Sequence, residues 1–593
     1  MKQFFKFVLA TVVGVFIVSL IMLCIVVGIV VSAANNDSDK RVDDNSILNI
    51  SFKNAIPERT PNNPLSSLGF LGFDEDKSIG LNDILASIKK AKTDDHIKGI
   101  YITDSYIMGG QATTEEIRNA LIDFKKSKKF IIAYSEVYTQ SFYYLASVAN
   151  KVYINPKGIF DFGGMSSQVT LFKGALDKLG IEAQIIKVGT YKSAVEPFFL
   201  DKMSDANRQQ VTAYLGSLYN QFLTGISNSR KLNKDSLYNV ANELKVRYPE
   251  DALNYKLVDG LKYKDEVLDE LKKLTKTDLK KDLKSVDLSE YAKSSDDDKT
   301  TDDGNKGPDN QIAMIYASGE ITGGDGDDNT IGSDKISAAL RKVRLNDKVK
   351  AVVLRVNSPG GSSLASDVIW REVSLTKKVK PVIVSMGDYA ASGGYYIACA
   401  ADSIIAEPNT ITGSIGIFAI LPNMQKFFNG KLGITFDGVK TGKYADLGDV
   451  SRPLTPEERA ILQAQVNRGY GDFTHAVATG RNKTQEYINS IGQGRVWTGE
   501  QAIKIGLVDR LGNINDAVNS AAKKAKLKDY KVVAYPEQKS LFKSFGSDIQ
   551  SRMSTHFAKA ELGDNYVYYQ QLKGIQQMMR IPQARLPFIA EIK

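Results

Sequence analysis

The residues most able to do chemistry begin with Ser392, in the run Met386-Gly387-Asp388-Tyr389-Ala390-Ala391-Ser392-Gly393-Gly394-Tyr395. An apolar strand pattern ends there and a short helix is expected from Ser392 to Ala400. A serine at that junction faces the positive end of a helix, where backbone N–H groups lack partners. That setting suits a nucleophile whose reaction develops an oxyanion, and it equally suits a plain helix cap. Position 390 is alanine, so the G-x-S-x-G elbow is absent. The turn Asn357-Ser358-Pro359-Gly360-Gly361 could aim an N–H outward. With the Gly393 amide, Gly360 and Gly361 would form a two-donor oxyanion hole, although strand-to-helix turns commonly carry Pro and Gly. The base is not an obvious histidine, because His96, His475 and His556 are scattered. No H-E-x-x-H or C-x-x-C motif occurs, so neither a metal nor a cofactor is expected.

An internal repeat supplies the missing base. Ile97-Lys98-Gly99-Ile100-Tyr101-Ile102 reads like Val349-Lys350-Ala351-Val352-Val353-Leu354, an offset of 252. The same offset pairs Gly109 with Gly361, Tyr143-Tyr144-Leu145-Ala146 with Tyr395-Tyr396-Ile397-Ala398, Pro156 with Pro408, and Gly164 with Gly416. Leu257-Val258-Asp259 matches Leu507-Val508-Asp509 at an offset of 250. This is duplication of a whole domain and not a short-period solenoid. Ser392 aligns with Gln140, and Gly393-Gly394 with Ser141-Phe142, so the first copy lacks the nucleophile and its glycines. Aligned on Gly189 and Gly442, Lys192 falls on Ala445. One half has the serine without the lysine, and the other the reverse. A lysine amine can act as base if burial lowers its pKa from about 10.4 toward neutrality.

Both halves alternate short apolar runs with helical patterns, which argues for an α/β fold with right-handed crossovers and parallel strands. In the second half, strands are expected at Ala351–Val356, Pro381–Ser385 and Ser403–Ala406, with a helix at Leu364–Thr376. Thr113 and Glu116 suggest a capping box, and Thr455-Pro456-Glu457-Glu458 another helix start. Ser294 to Asn310 has no apolar residue and reads as a solvated acidic linker. The expected division is an anchor over 1–34, repeats over 45–290 and 311–535 separated by a linker over 291–310, and an extension over 536–593 without a readable role. The stretch Leu65–Phe73 could line an opening or be ordinary core.

The 593 residues are 43% hydrophobic and 24% charged, with a net charge of +9. That length implies more than one core, and the mixed charge with no basic run excludes a phosphate-backbone tracker. Cys24 and Cys399 offer no disulfide framework. After Lys2 and Lys6, Phe7 to Val31 carries no charge, long enough to span a bilayer and longer than a cleaved signal's apolar region. The flanking charges place the N-terminus in the cytoplasm and the bulk of the chain outside.

The strings Gly189-Thr190-Tyr191-Lys192-Ser193-Ala194-Val195-Glu196-Pro197-Phe198 and Ala390-Ala391-Ser392-Gly393-Gly394-Tyr395 resemble the long, duplicated bacterial form of the signal peptide peptidase A family. The resemblance covers nearly the whole chain. It implies two tandem Clp-protease/crotonase-like domains after a transmembrane helix, with Ser392 as nucleophile and Lys192 as general base. It also implies Gly393, Gly360 and Gly361 in the oxyanion hole and Ser414, in Ile411-Thr412-Gly413-Ser414-Ile415-Gly416, as a supporting hydroxyl that orients the lysine. A homotetramer outside the inner membrane and apolar peptide substrates, chiefly remnant signal peptides, complete the implication. The lysine could serve its own chain or a neighbour. The rival readings are an acyl-CoA-handling crotonase relative, which would not need Ser392, and an inactive peptide-binding scaffold.

Overall fold

The computed structural model describes residues 2–36, 42–61, 78–294, 309–327, 329–538, 561, 582–586 and 591–592. Leu65–Phe73 and most of the acidic linker lie outside them. Seven strands of the first half concern us: β1 (Ser46–Ile50), β2 (Ile97–Thr103), β3 (Phe130–Tyr138), β4 (Lys151–Phe160), β5 (Glu182–Lys187), β6 (Gly260–Leu261) and β7 (Ser285–Asp287). All but β5 form one sheet in the order β6-β4-β3-β2-β1-β7, with every pairing parallel.

The second half contributes β8 (Gln311–Ser318), β9 (Val349–Ser358), β10 (Gly360–Ser362), β11 (Val382–Ala391), β12 (Ser403–Ala406), β13 (Ile411–Gly413), β14 (Phe418–Asn423), β15 (Arg510–Leu511), β16 (Lys531–Tyr535) and β17 (Gln583–Arg585). The series β15-β12-β11-β9-β8-β16 is again parallel throughout. Strand for strand it reproduces the first sheet, as the repeat requires. The central strands are buried on both faces, which is why they read as continuous Val/Ile runs rather than alternation. Val353 and Ile383 of the second half share one core with Ile117 and Tyr143 of the first.

β11 is longer than the Pro381–Ser385 expected, because Tyr389, Ala390 and Ala391 pair in parallel with Ile411, Thr412 and Gly413 of β13. The strand therefore delivers the chain directly to Ser392, and the helix that follows is only Gly393–Ala398. Thr455 does cap the helix Pro456–Arg481. The other expected box does not form. Gly110 caps the helix Gln111–Phe124, while Thr113 N and Oγ1 both donate to Asp388 and Glu116 pairs with Arg355 at 2.6 Å. Tertiary partners in the other half have taken both side chains.

A second sheet joins the halves. Its order is Thr330–Gly332, Glu320–Thr322, β10, β17, β14, β5. β5 of the first half runs antiparallel to β14 of the second, from Lys187 opposite Phe418 to Glu182 opposite Asn423. The apolar run Phe7–Val31 falls within one helix, Lys2–Asn36. Side chains past Ile21 lie outside the description, and among the described residues no helix is long and apolar enough to cross a membrane.

Candidate active site

The β5–β14 pairing decides where Lys192 goes. It continues into hydrogen bonds from Val188 N to Ile417 O at 3.0 Å and from Tyr191 N to Gln493 O at 2.8 Å, so the lysine loop is stitched to the second half on both sides. Gly189 (φ 106°) and Gly494 (φ 77°) make the close approach possible. A Cβ on Gly494 would stand 2.6 Å from Lys192 N and Cβ. Gln210, buried on the helix Asp205–Arg230, locks the same crossing. Its amide donates to Tyr191 O and Ser193 Oγ at 2.9 Å, and its carbonyl accepts from Val496 N at 3.1 Å. Sequence reasoning passed over Gln210, because one polar residue on a long helix carries no motif.

Within a single chain, Lys192 Nζ lies 2.8 Å from Ser392 Oγ and 3.1 Å from both Oγ and O of Ser414. Lys192, Ser392 and Ser414 have no solvent-exposed surface. Burial pushes the Lys192 amine well below its ordinary value, since a charge is costly in a dry pocket. The Phe418 ring, 5.9 Å away, closes one side. A neutral amine has a lone pair, so at 2.8 Å it can accept the serine proton.

Ser392 occupies the N-cap position, yet its side chain makes no capping hydrogen bond. Its backbone sits at φ 55°, ψ −114°, costly for a non-glycine residue and commonest where function demands it. The conformation is held by Ser392 N donating to Gly413 O and by its carbonyl accepting from Tyr396 N, both at 2.8 Å. Ser414, also at positive φ (50°), donates its N–H to Arg495 O at 2.7 Å.

The glycine turn does not remain a turn: Gly360 and Gly361 begin β10. Gly360 lies against Gly393, with a Cβ at 360 falling 2.8 Å from Gly393 N. Five of the six residues singled out from the sequence thus meet: Lys192 reaches Ser392 and Ser414, and Gly360 lies against Gly393 beside Ser392, while Gly361 is next in the strand and backs onto Ile321. No group of His, Cys, Asp and Glu among the described residues could hold a metal.

The profile of Peptidase family S49 matches residues 123–278 and 374–528, one stretch holding Lys192 and the other Ser392. The chain belongs to peptidase family S49. Among its S49 relatives, Protease 4 of Salmonella typhi is 36% identical over 553 residues, covering 90% of this chain and 86% of the relative. Protease 4 of Haemophilus influenzae is 38% identical over 467 residues, covering 75% and 73%. Serine protease SPPA, chloroplastic, of Arabidopsis thaliana is 34% identical over 454 residues, covering 76% and 66%. Together they make this S49 chain a serine protease of the long, duplicated form, which removes the crotonase and scaffold alternatives.

Proposed function

We propose that this S49 peptidase is a membrane-anchored endopeptidase with a Ser392–Lys192 dyad, acting on apolar peptides such as remnant signal peptides at the extracytoplasmic face. The observation that carries the dyad is the 2.8 Å contact between Nζ and Oγ in a pocket that disfavours the charged amine. Neutral Lys192 takes the Ser392 proton as Oγ attacks a peptide carbonyl. The resulting oxyanion is held by the Gly393 amide and an amide of the Gly360–Gly361 strand. Lys192 then protonates the departing amine, and a water activated by the same amine releases the acyl group. Ser414 holds the lysine through Oγ and O, leaving its lone pair directed at Ser392.

The helix Lys2–Asn36 serves as the anchor in this reading, with Lys2 and Lys6 on the cytoplasmic side. Assembly of copies is supported by an exposed segment, the number four resting on the family resemblance alone. Residues 435–440 of the second half correspond to β5, and around them Leu432, Ile434, Phe436 and Val439 are exposed. A neighbour's first half could receive that segment as β14 receives β5.

The test is hydrolysis of an apolar peptide ester by the full chain, comparing wild type with Ser392→Ala and Lys192→Ala. Both variants are expected to lose at least about 10³-fold in kcat, in keeping with residues that act as a unit. Near-normal turnover by folded Lys192→Ala would eliminate the lysine as base.

A further inference from the structure

Lys192 is seated by two arms of chain, and one residue touches both. The first arm is the lysine loop, where Tyr191 N donates to Gln493 O at 2.8 Å. The second is the turn after β13, where Oγ and O of Ser414 accept from the amine. Arg495 stands between them. Its carbonyl accepts from Ser414 N at 2.7 Å, which helps hold that serine at positive φ (50°). Its guanidinium reaches the other arm, with Cζ 5.1 Å from the centre of the Tyr191 ring and 4.2 Å from that of Trp497.

Trp497 is a fixed partner for this stack. It lies in the strand Val496–Thr498, antiparallel to β13 and opposite Thr412, and its indole N–H donates to Ile491 O at 3.1 Å. A guanidinium over an aromatic face is attracted by the ring quadrupole, more strongly where water is excluded. Arg495 has no other hold. Among the described residues its guanidinium makes no hydrogen bond or ion pair, and its Nε is buried without a partner. A buried donor without an acceptor is costly, so the two rings must offset that cost.

The repeat separates this clasp from the fold itself. At the offset of 250, Arg495 and Trp497 become Lys245 and Arg247. Lys245 pairs with Glu243 at 2.8 Å, and Arg247 Nε donates to Leu244 O at 3.2 Å. Tyr444, which repeats Tyr191, is exposed. Where no lysine is seated, the charge at the first position is kept and the stack is not.

We infer that Arg495 is a positioning residue for the reaction: by clasping Tyr191 against Trp497 it fixes the lysine loop on the second half and keeps the Lys192 amine in reach of Ser392. This deepens the dyad reading above and rests on it. Gln210 ties the main chain of the same tyrosine, and Arg495 ties its ring. Arg495 acts through placement and not through charge, since burial, and no neighbouring cation, is what depresses the Lys192 amine. A loosened loop would admit water to the amine, which would then hold its proton toward the ordinary lysine value of 10.5. Less neutral base would be present at a given pH, and it would stand farther from Oγ.

The test is the pH dependence of peptide-ester hydrolysis by the full chain, in wild type, Arg495→Met, Tyr191→Leu, Tyr191→Phe, the Arg495→Met/Tyr191→Leu pair and Lys192→Ala. Arg495→Met is expected to lower kcat about tenfold with KM within about twofold of wild type, and to move the rising limb of kcat/KM to higher pH. Tyr191→Leu should do the same, while Tyr191→Phe should match wild type because its ring remains. The double variant should lose no more than either single one, as expected of residues acting through one contact. Wild-type kcat in Arg495→Met, a loss of kcat with the limb unmoved, or losses that multiply in the pair would each overturn the inference. Should Arg495→Met fail to fold, the tyrosine variants decide, and equal rates in Tyr191→Leu and Tyr191→Phe overturn it. In each of these cases abolished turnover in Lys192→Ala leaves the dyad standing. Near-normal turnover in Lys192→Ala removes the dyad and the clasp together.

Discussion

The two halves share a strand order and differ in what fills the end of the third strand. In the second half β11 delivers Ser392, and Gly416 leaves room for the Lys192 side chain, whose Cδ a Cβ at 416 would approach to 3.1 Å. In the first half Gln140 stands at the serine's place, and its amide closes on Gly164, the counterpart of Gly416, with bonds of 2.7 and 3.0 Å to O and N. The lysine loop reverses the contrast. Lys192 is buried against the other half, while Ala445 at its repeated position is exposed on the surface. On the proposed dyad, each copy supplies the group that the other lacks. What separates them is partnership across the joint and not the fold of either copy.

The largest effect expected from disturbing that joint concerns Arg355. Its guanidinium, on β9, is fully buried and bonds Glu58 at 2.8 Å and Glu116 at 2.6 Å, both from the first half. Arg355→Met would leave two buried carboxylates without their cation and is expected to cost about 3–5 kcal/mol in denaturant unfolding. Its repeat counterpart, Thr103, makes no such crossing, and Thr103→Val should cost less than about 1 kcal/mol. Equal losses at the two positions would dissolve the contrast.

The pH profile sharpens the comparison next. Lys192 is a base only when neutral, so kcat/KM is expected to rise about tenfold per pH unit below its pKa. The rise should level off well below the ordinary lysine value of 10.5. A flat profile between pH 5 and 9 would remove the amine from the mechanism.

Gly494 and Leu244 offer a finer test. They are related by the offset of 250, and both adopt positive φ, 77° and 45°. Leucine is tolerated in the first half because nothing like Lys192 packs against it. Gly494→Ala is expected to displace the lysine and lower kcat about tenfold or more, whereas Leu244→Gly should leave kcat unchanged.

The smallest expected effect is a gain. Because the folded-state pKa of Lys192 is depressed, the unfolded chain binds a proton that the folded chain does not between that pKa and about 10.4. Stability therefore rises with pH through this window, and at neutral pH the buried amine is a cost. Lys192→Met should abolish turnover yet raise stability by on the order of 1 kcal/mol. That gain should shrink as the pH approaches the ordinary lysine value. Loss of stability on this substitution would mean the amine's hydrogen bonds to Ser392 and Ser414 outweigh its desolvation.

The sequence made the duplication legible because parallel strands buried on both faces keep apolar runs at a fixed spacing, as in Ile97–Ile102 and Val349–Leu354. It brought the serine and lysine forward as candidates because two copies of one domain expose how they differ. Glu116 was misread, since a Thr and a Glu three residues apart match a capping box whether or not a buried arginine waits in the other half. Strand β11 was read short because Tyr389–Ala391 owes its extended form to β13, a partner the local sequence does not announce. Pro582–Leu586 was opaque for a related reason. Its pairing is made by backbone groups, and five residues starting with proline show no periodicity.

One consequence of the crossing between β5 and β14 concerns the order in which the protein is made. Synthesis runs from the N-terminus, so the lysine emerges some 200 residues before the serine it touches. The chain that seats it, Gln493 to Val496, comes later still. Until that last stretch has left the ribosome, Lys192 is an ordinary solvated cation and Ser392 an ordinary alcohol. On the proposed dyad, a chain stopped before Val496 would lack a seated base, so the last part of translation would also be the step that arms the enzyme.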